Sequence, residues 1–163
     1  MEKTSTVSNN WKLAICIIIC QATGIISGLL TNTQNNDWYD KIVKPSWNPP
    51  GYLFGPVWTI LYFLMGISLW LIWKSNGLES QKVEACLIFA IQLFLNFWWT
   101  ILFFKLHSPI AAFAEIIVMI ALIILTIYKF SKISKTAAWL LVPYISWVCF
   151  AAILNYNLWK LNL

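Results

Sequence analysis

Five stretches of the chain are apolar almost without interruption: about Leu13–Leu30, Tyr52–Trp73, Ala85–Phe104, Pro109–Tyr128 and Ala137–Trp159. Together they contain a single charged residue, Glu115. A hydrocarbon core about 30 Å thick takes roughly 20 helical residues to cross, so each stretch is long enough to span a bilayer. Lipid offers the backbone no hydrogen-bond partners, which leaves helices or a closed barrel. The alternation of barrel strands is absent. The pattern therefore predicts an all-α fold, a single integral membrane domain over 1–163 built as a bundle of five transmembrane helices. The first stretch follows a short Lys-bearing segment, as the core of a signal peptide would. No small-residue cleavage site follows it, and Gly24 and Gly28 make a G-x-x-x-G helix-packing spacing, so it reads as a true span.

The connections are short except one, about Thr31 to Gly51. It holds Trp38, Tyr39, Ile42, Val43 and Trp47 and ends in Pro45-Ser46-Trp47-Asn48-Pro49-Pro50-Gly51. Prolines fix their own φ and restrict the residue before them, so this end is stiff. A stiff aromatic loop at a membrane face reads either as a lid or as an interfacial aromatic belt.

The polar positions inside the spans fall on the loop's side of the bilayer. At about 1.5 Å per helical residue, Trp58, Asn96, Glu115 and Asn155 lie within roughly 12 Å of that side, and Trp147 roughly 18 Å from it. Residues three and four apart share a helix face. That puts Trp58, Tyr62, Met65 and Leu69 on one stripe, Asn96, Trp99 and Phe103 on a second, and Tyr144, Trp147 and Ala151 with Leu154 or Asn155 on a third. Any one stripe fits ordinary bundle packing. Three at one depth beneath one stiff loop point to a pocket. Asn96 and Asn155 read as interhelical glue, worth about 0.6 kcal/mol each. Pro143 should kink the fifth helix, whereas Pro56 and Pro109 lie in first turns, where a missing N–H costs little.

Composition agrees with the pattern. The chain is 60% apolar and 10% charged, against about 45–50% and 25% in soluble domains, which excludes a water-soluble globule of this size. The net charge of +5 comes from dispersed Lys with no Arg, so no dense basic tract exists to neutralise phosphates, and nucleic acid is excluded as a partner. Lys3, Lys12, Lys74, Lys82, Lys129, Lys132 and Lys135 fall on the N-terminal side; Lys41, Lys44, Lys105 and Lys160 fall on the other. That excess makes the N-terminus cytoplasmic, in a bacterial inner membrane. Cys16, Cys20, Cys86 and Cys149 all sit in apolar runs and read as small buried hydrophobes. His107 stands alone at a helix connection; no metal site, nucleophile elbow or nucleotide fingerprint is present. Glu115 fits a proton carrier, a counter-charge for a cation or a neutral buried acid.

The run Trp38–Gly51, continuing through Gly55-Pro56-Val57-Trp58 and Leu61-Tyr62, resembles the signature of the translocator protein family, also called tryptophan-rich sensory proteins or peripheral-type benzodiazepine receptors. Leu95-Asn96, Trp99 and Phe103-Phe104 extend the resemblance, as do Pro143-Tyr144, Trp147, Phe150-Ala151 and Leu154-Asn155-Tyr156. It implies a homodimeric five-helix bundle whose pocket, closed by the first loop, binds protoporphyrin IX, haem-related tetrapyrroles and benzodiazepine or isoquinoline-carboxamide compounds. By matching position that pocket includes Tyr39, Pro49, Trp58, Tyr62, Asn96, Trp99, Trp147 and Ala151; Trp47 of the loop and Phe103 of the second stripe join them as candidates.

No cofactor is required on this reading; a porphyrin is ligand or substrate. The resemblance also allows a light- and oxygen-dependent porphyrin-degrading enzyme, in which Trp58 and Trp147 would be the catalytic pair. A small proton-coupled exporter using Glu115 is a further alternative. Leu154, Tyr156 and Lys160 fit a proposed sterol-binding motif. Thr100 and Ile101 stand where animal members often carry prolines. Ten of the eleven Trp then divide: Trp11, Trp70, Trp73, Trp139 and Trp159 as belt or packing residues, Trp38 and Trp47 in the loop, and Trp58, Trp99 and Trp147 at the pocket; Trp98 is unassigned.

Overall fold

A computed structural model describes residues 7–163 of the protein. Lys3, counted above toward orientation, lies outside the described residues. The regular structure is helical: α1 (Val7–Thr31), α2 (Asp37–Lys41), α3 (Gly51–Trp73), α4 (Glu79–Thr100), α5 (Pro109–Ile133), α6 (Lys135–Leu140) and α7 (Val142–Leu161). Five helical stretches are long and apolar enough to cross a membrane: α1, α3, α4 with the turn that continues it, α5, and α6 with α7. Their lateral order is not their chain order. α1 lies between α3 and α4, α5 between α4 and α7, and α6 closes the ring against α3.

α4 and α5 run beyond their apolar stretches, and charged residues of these extensions pair. α4 begins at Glu79, whose carboxylate meets Lys82 at 2.7 Å, and Lys129 of α5 reaches Glu84 of α4 at 2.6 Å. The fifth span divides at Leu141. Pro143 cannot donate a backbone bond and occupies the first turn of α7, so the chain stops as α6 and restarts.

The bundle encloses polar side chains within an apolar core and turns large apolar side chains outward. Ser68, Gln92, Asn96, Thr126 and Asn155 are buried, while Ile18, Leu29, Ile60 and Phe94 face outward. Water would favour the reverse, and a bilayer favours this arrangement.

Close helix approach depends on two glycines. A Cβ at Gly66 of α3 would lie 2.7 Å from the Cα of Ile17 in α1. A Cβ at Gly24 would run into the ring of Tyr62. The other half of the expected G-x-x-x-G pair does not contact a neighbouring span: Gly28 faces the Thr33 side chain of the turn after its own helix. Of that pair, then, only Gly24 is an interhelical contact.

At the end of α4 the helix widens into a π-turn over Ile101–Lys105, closed by Leu106 N–H donating to the Ile101 carbonyl at 2.9 Å. This is the position where Thr100 and Ile101 replace prolines. A π-turn leaves carbonyls free to be used elsewhere.

Gly66→Ala should lower the thermal unfolding midpoint in detergent, since forcing α1 and α3 apart costs about 1–3 kcal/mol. Gly55→Ala, whose added methyl would meet nothing within 4 Å, should leave the midpoint unchanged or raise it. Equal effects of the two substitutions would mean that the α1–α3 approach is not limiting.

Candidate functional site

The centre of the bundle is a ladder of four polar side chains from three helices. Tyr62 of α3 donates its phenol proton to Asn96 Oδ1 of α4. Asn96 Nδ2 donates to the Tyr144 hydroxyl of α7 at 3.3 Å, and that hydroxyl donates to Gln92 Oε1 at 2.7 Å. All four residues are buried. Gln92 and Asn96 are one turn apart on α4 and so present both amides to the same partner.

Aromatic rings cover the ladder toward the loop. Trp58 lies face to face with Tyr62 at 5.4 Å and edge-on to Tyr144 at 6.3 Å. Trp147 meets Phe54 at 6.0 Å and Phe150 at 5.2 Å. Ala151, one turn beyond Trp147, packs against the same core.

A second group lies beneath the loop. Trp99 stacks on Phe103 at 5.2 Å, and its indole N–H donates to Asn155 Oδ1 at 3.2 Å. Asn155 Nδ2 donates in turn to the Pro109 carbonyl at 2.7 Å, so this side chain joins α4, α5 and α7. Tyr39 packs on Phe103 and Phe104, and its hydroxyl donates to Asn48 Oδ1 at 3.1 Å. Burial pushes the Tyr39 phenol above its ordinary value of 10.0. A raised phenol stays protonated at neutral pH, so this donor is lost only as pH climbs past the ordinary tyrosine range. Trp47 is half exposed with its edge toward Phe150, and Pro49 is partly buried beside it in sequence.

The expected site residues therefore fall into two connected layers. Trp58, Tyr62, Asn96, Trp147 and Ala151 belong to the deep one; Tyr39, Trp99 and Phe103 belong to the one under the loop. Trp99 touches both. The three residues of the sterol motif do not share a face. Leu154 is buried with Phe103 and Ala112, whereas Tyr156 and Lys160 point outward. Tyr156 lines a shallow outer groove of about 330 Å³ with Phe113, Ala152 and Ile153.

Sequence reasoning placed Tyr144 on a stripe without giving it a partner and passed over Gln92. Its signal was the i, i+4 spacing to Asn96. Two further asparagines were missed. Asn36 caps α2 by accepting from Tyr39 N–H at 2.9 Å and donates to the Phe104 carbonyl of the π-turn at 3.0 Å. Asn162 accepts from Val43 N–H at 2.8 Å and donates back to the Val43 carbonyl at 2.9 Å. The loop is thus fastened to α4 at one end and to the end of α7 in its middle.

Among the described residues, three polar side chains are enclosed with atoms that have no partner: Gln92 Nε2, Trp147 Nε1 and both carboxylate oxygens of Glu115. Among the described residues no cluster of three or more His, Cys, Asp or Glu could hold a metal. Cys16 and Cys20 are buried in the core as small apolar groups, while Cys86 is partly buried and Cys149 is exposed. His107 stacks on Trp38 at 4.7 Å, a packing contact of the loop.

Five apolar spans around a polar and aromatic interior, closed on one side by a fastened aromatic loop, define an integral membrane protein of the small helical-bundle class. The TspO/MBR family profile matches residues 16–160. The chain is 41% identical over 150 residues to the tryptophan-rich protein TspO of Chlorobaculum tepidum, covering 92% of this chain and 95% of that one. It is 41% identical over 154 residues to the Archaeoglobus fulgidus protein of the same name, covering 94% and 99%. The human translocator protein is 36% identical over 126 residues, covering 77% and 75%. The protein belongs to the TspO/MBR family.

Asn162→Ala should release the middle of the loop. Amide hydrogen exchange across 37–50 should quicken while α3 and α4 keep their protection. Unchanged exchange there would mean that the aromatic contacts of Tyr39 and Trp38 hold the loop unaided.

Proposed function

We propose that the protein is a membrane receptor or translocator for planar tetrapyrroles, protoporphyrin IX and haem-related compounds, acting in tetrapyrrole and oxidative-stress regulation. Benzodiazepine and isoquinoline-carboxamide compounds would compete for the same place. The observation that carries this reading is the convergence of Trp58, Tyr62, Tyr144 and Trp147 from two helices, with Phe54, in a water-poor interior beneath the loop. Indole and phenol faces that stack on one another can exchange those contacts for a flat macrocycle, each aromatic contact adding about 0.5–1.5 kcal/mol beyond area burial. The unpartnered Trp147 N–H and Gln92 amide supply donors for a carbonyl or carboxylate on the guest. The names of the relatives, tryptophan-rich sensory protein and translocator protein, accord with it. The protein would act as a homodimer in a bacterial inner membrane, with its N-terminus cytoplasmic.

Titrating protoporphyrin IX while following Trp fluorescence tests the assignment. Trp58→Phe combined with Trp147→Phe should weaken binding by about 5- to 150-fold, from about 1–3 kcal/mol for two contacts. Quenching and affinity equal to those of the unsubstituted protein would move the guest elsewhere.

A second reading rests on Glu115, whose carboxylate oxygens are enclosed without a partner inside a span. Such an acid takes up and releases protons as its surroundings change, which suits an exporter driven by a proton gradient. Uptake of protoporphyrin IX into proteoliposomes should then follow the imposed pH gradient and be lost in Glu115→Gln. Transport indifferent to both removes this reading.

A further inference from the structure

Away from the aromatic interior, at the opposite end of the bundle, a groove of about 250 Å³ runs between α1 and α4 over a floor of α3. Its walls are mostly apolar, with Ile19 on α1, Leu69 on α3 and Cys86 on α4. Its volume is below the roughly 300–1,000 Å³ of pockets that take drug-sized ligands. A slot of that size suits a linear chain better than a ring system.

The rim is cationic and aromatic. Trp73 lines it, and Lys12 Nζ lies 5.4 Å from the Trp73 ring centroid and 5.9 Å from that of Trp11. Lys12 has no carboxylate within ion-pair distance among the described residues. Lys82 also lines the rim; its side chain is 12% exposed, and it meets Glu79 at 2.7 Å and the Ser75 carbonyl at 3.3 Å. Glu79 is 82% exposed, so its carboxylate stands in the outer layer, and it is the one acid that lines the groove among the described residues. The first turn of α4 adds backbone N–H groups that no side chain caps. An unpaired ammonium (Lys12), a largely buried one paired to an exposed carboxylate (Lys82), an uncapped helix start and two indoles thus surround the mouth of an apolar slot.

We propose that this groove binds one anionic phospholipid, its phosphate held between Lys12, Lys82 and the first turn of α4 and one acyl chain laid along Ile19, Leu69 and Cys86. Basic rims between transmembrane helices recognise acidic headgroups by charge. A zwitterionic lipid offers the same chain but cancels the phosphate with its own amine. The site therefore selects for net headgroup charge.

Native mass spectrometry of the full-length protein from mixed micelles of phosphatidylglycerol and phosphatidylcholine reads this directly. Phosphatidylglycerol should remain bound at collision energies that strip phosphatidylcholine. The preference should fall at least fivefold in Lys12→Gln combined with Lys82→Gln, and persist in Lys41→Gln combined with Lys105→Gln at the other end. Cys86→Trp should remove the retained lipid by filling the groove, with circular dichroism confirming the fold. Cys86→Ser, which leaves the space open, should keep it. Equal retention of both lipids, a preference indifferent to the Lys12–Lys82 pair, or an adduct that survives Cys86→Trp would overturn the proposal. So would a protein dimer that Cys86→Trp dissociates without any lipid being lost, since the occupant would then be a second copy of the chain.

Discussion

Hydrocarbon cannot satisfy a buried amide or phenol, and this chain places Tyr62, Asn96, Tyr144 and Gln92 at the centre of its bundle. They pair with one another across α3, α4 and α7, with Gln92 Nε2 the ladder atom left without a partner. That requirement fixes how each helix is rotated. A turn of one residue, about 100°, would swing an amide toward lipid and an apolar side chain into the ladder. α1 enters because only a residue without a Cβ leaves space for the Tyr62 ring, and Gly24 is there. α5 enters through Met119, whose sulfur lies 3.9 Å from the Tyr144 hydroxyl. All five spans meet at one hydrogen-bonded group, and the remaining packing is arranged around it.

The same constraint operates at the membrane face. The π-turn after α4 frees the Phe104 carbonyl, and Asn36 takes it while capping α2. Val43, in extended chain with both backbone groups unpaired by secondary structure, is met by both ends of the Asn162 amide. Side chains distant in sequence thus complete the irregular backbone of the loop. The loop is therefore a built part of the bundle, and its aromatic side chains are held against Phe103, Phe104 and Phe150 rather than dispersed along an interfacial belt.

The number and class of the helices were legible because hydrophobic length is a strong signal in membranes. The break at Pro143 was legible because its physics is local. Convergence of Trp58, Tyr62, Asn96 and Trp147 could be read from depth and helical spacing. The division into two layers could not, since it depends on which way Trp99 turns, and that is decided by Asn155 on another helix. Asn36 and Asn162 were invisible for a related reason. An asparagine near a loop resembles any turn residue, and its value lies in a carbonyl or amide far away in the sequence. The G-x-x-x-G spacing misled in part because it records small size and not direction: Gly24 faces a neighbouring span, and Gly28 faces its own following turn.

Similar hydrogen bonds thus have different consequences at different depths. Those that hold the loop lie at the membrane face, where water and headgroups can replace a broken partner, so each contributes about 0.5–1.5 kcal/mol net. The ladder lies where no replacement exists, and breaking it leaves a bare polar group at about 1–3 kcal/mol or more. Opening from the loop side is therefore the low-cost motion of this fold, and rearranging the centre is the high-cost one. Trp58 and Trp147 lie between the two. Trp58 contacts the ladder and Trp147 packs on Phe54 and Phe150, neither belonging to it, so both can trade one aromatic face for another while the hydrogen bonds of the ladder stay formed. A tetrapyrrole bound as proposed above would meet indole faces first and the ladder beneath them.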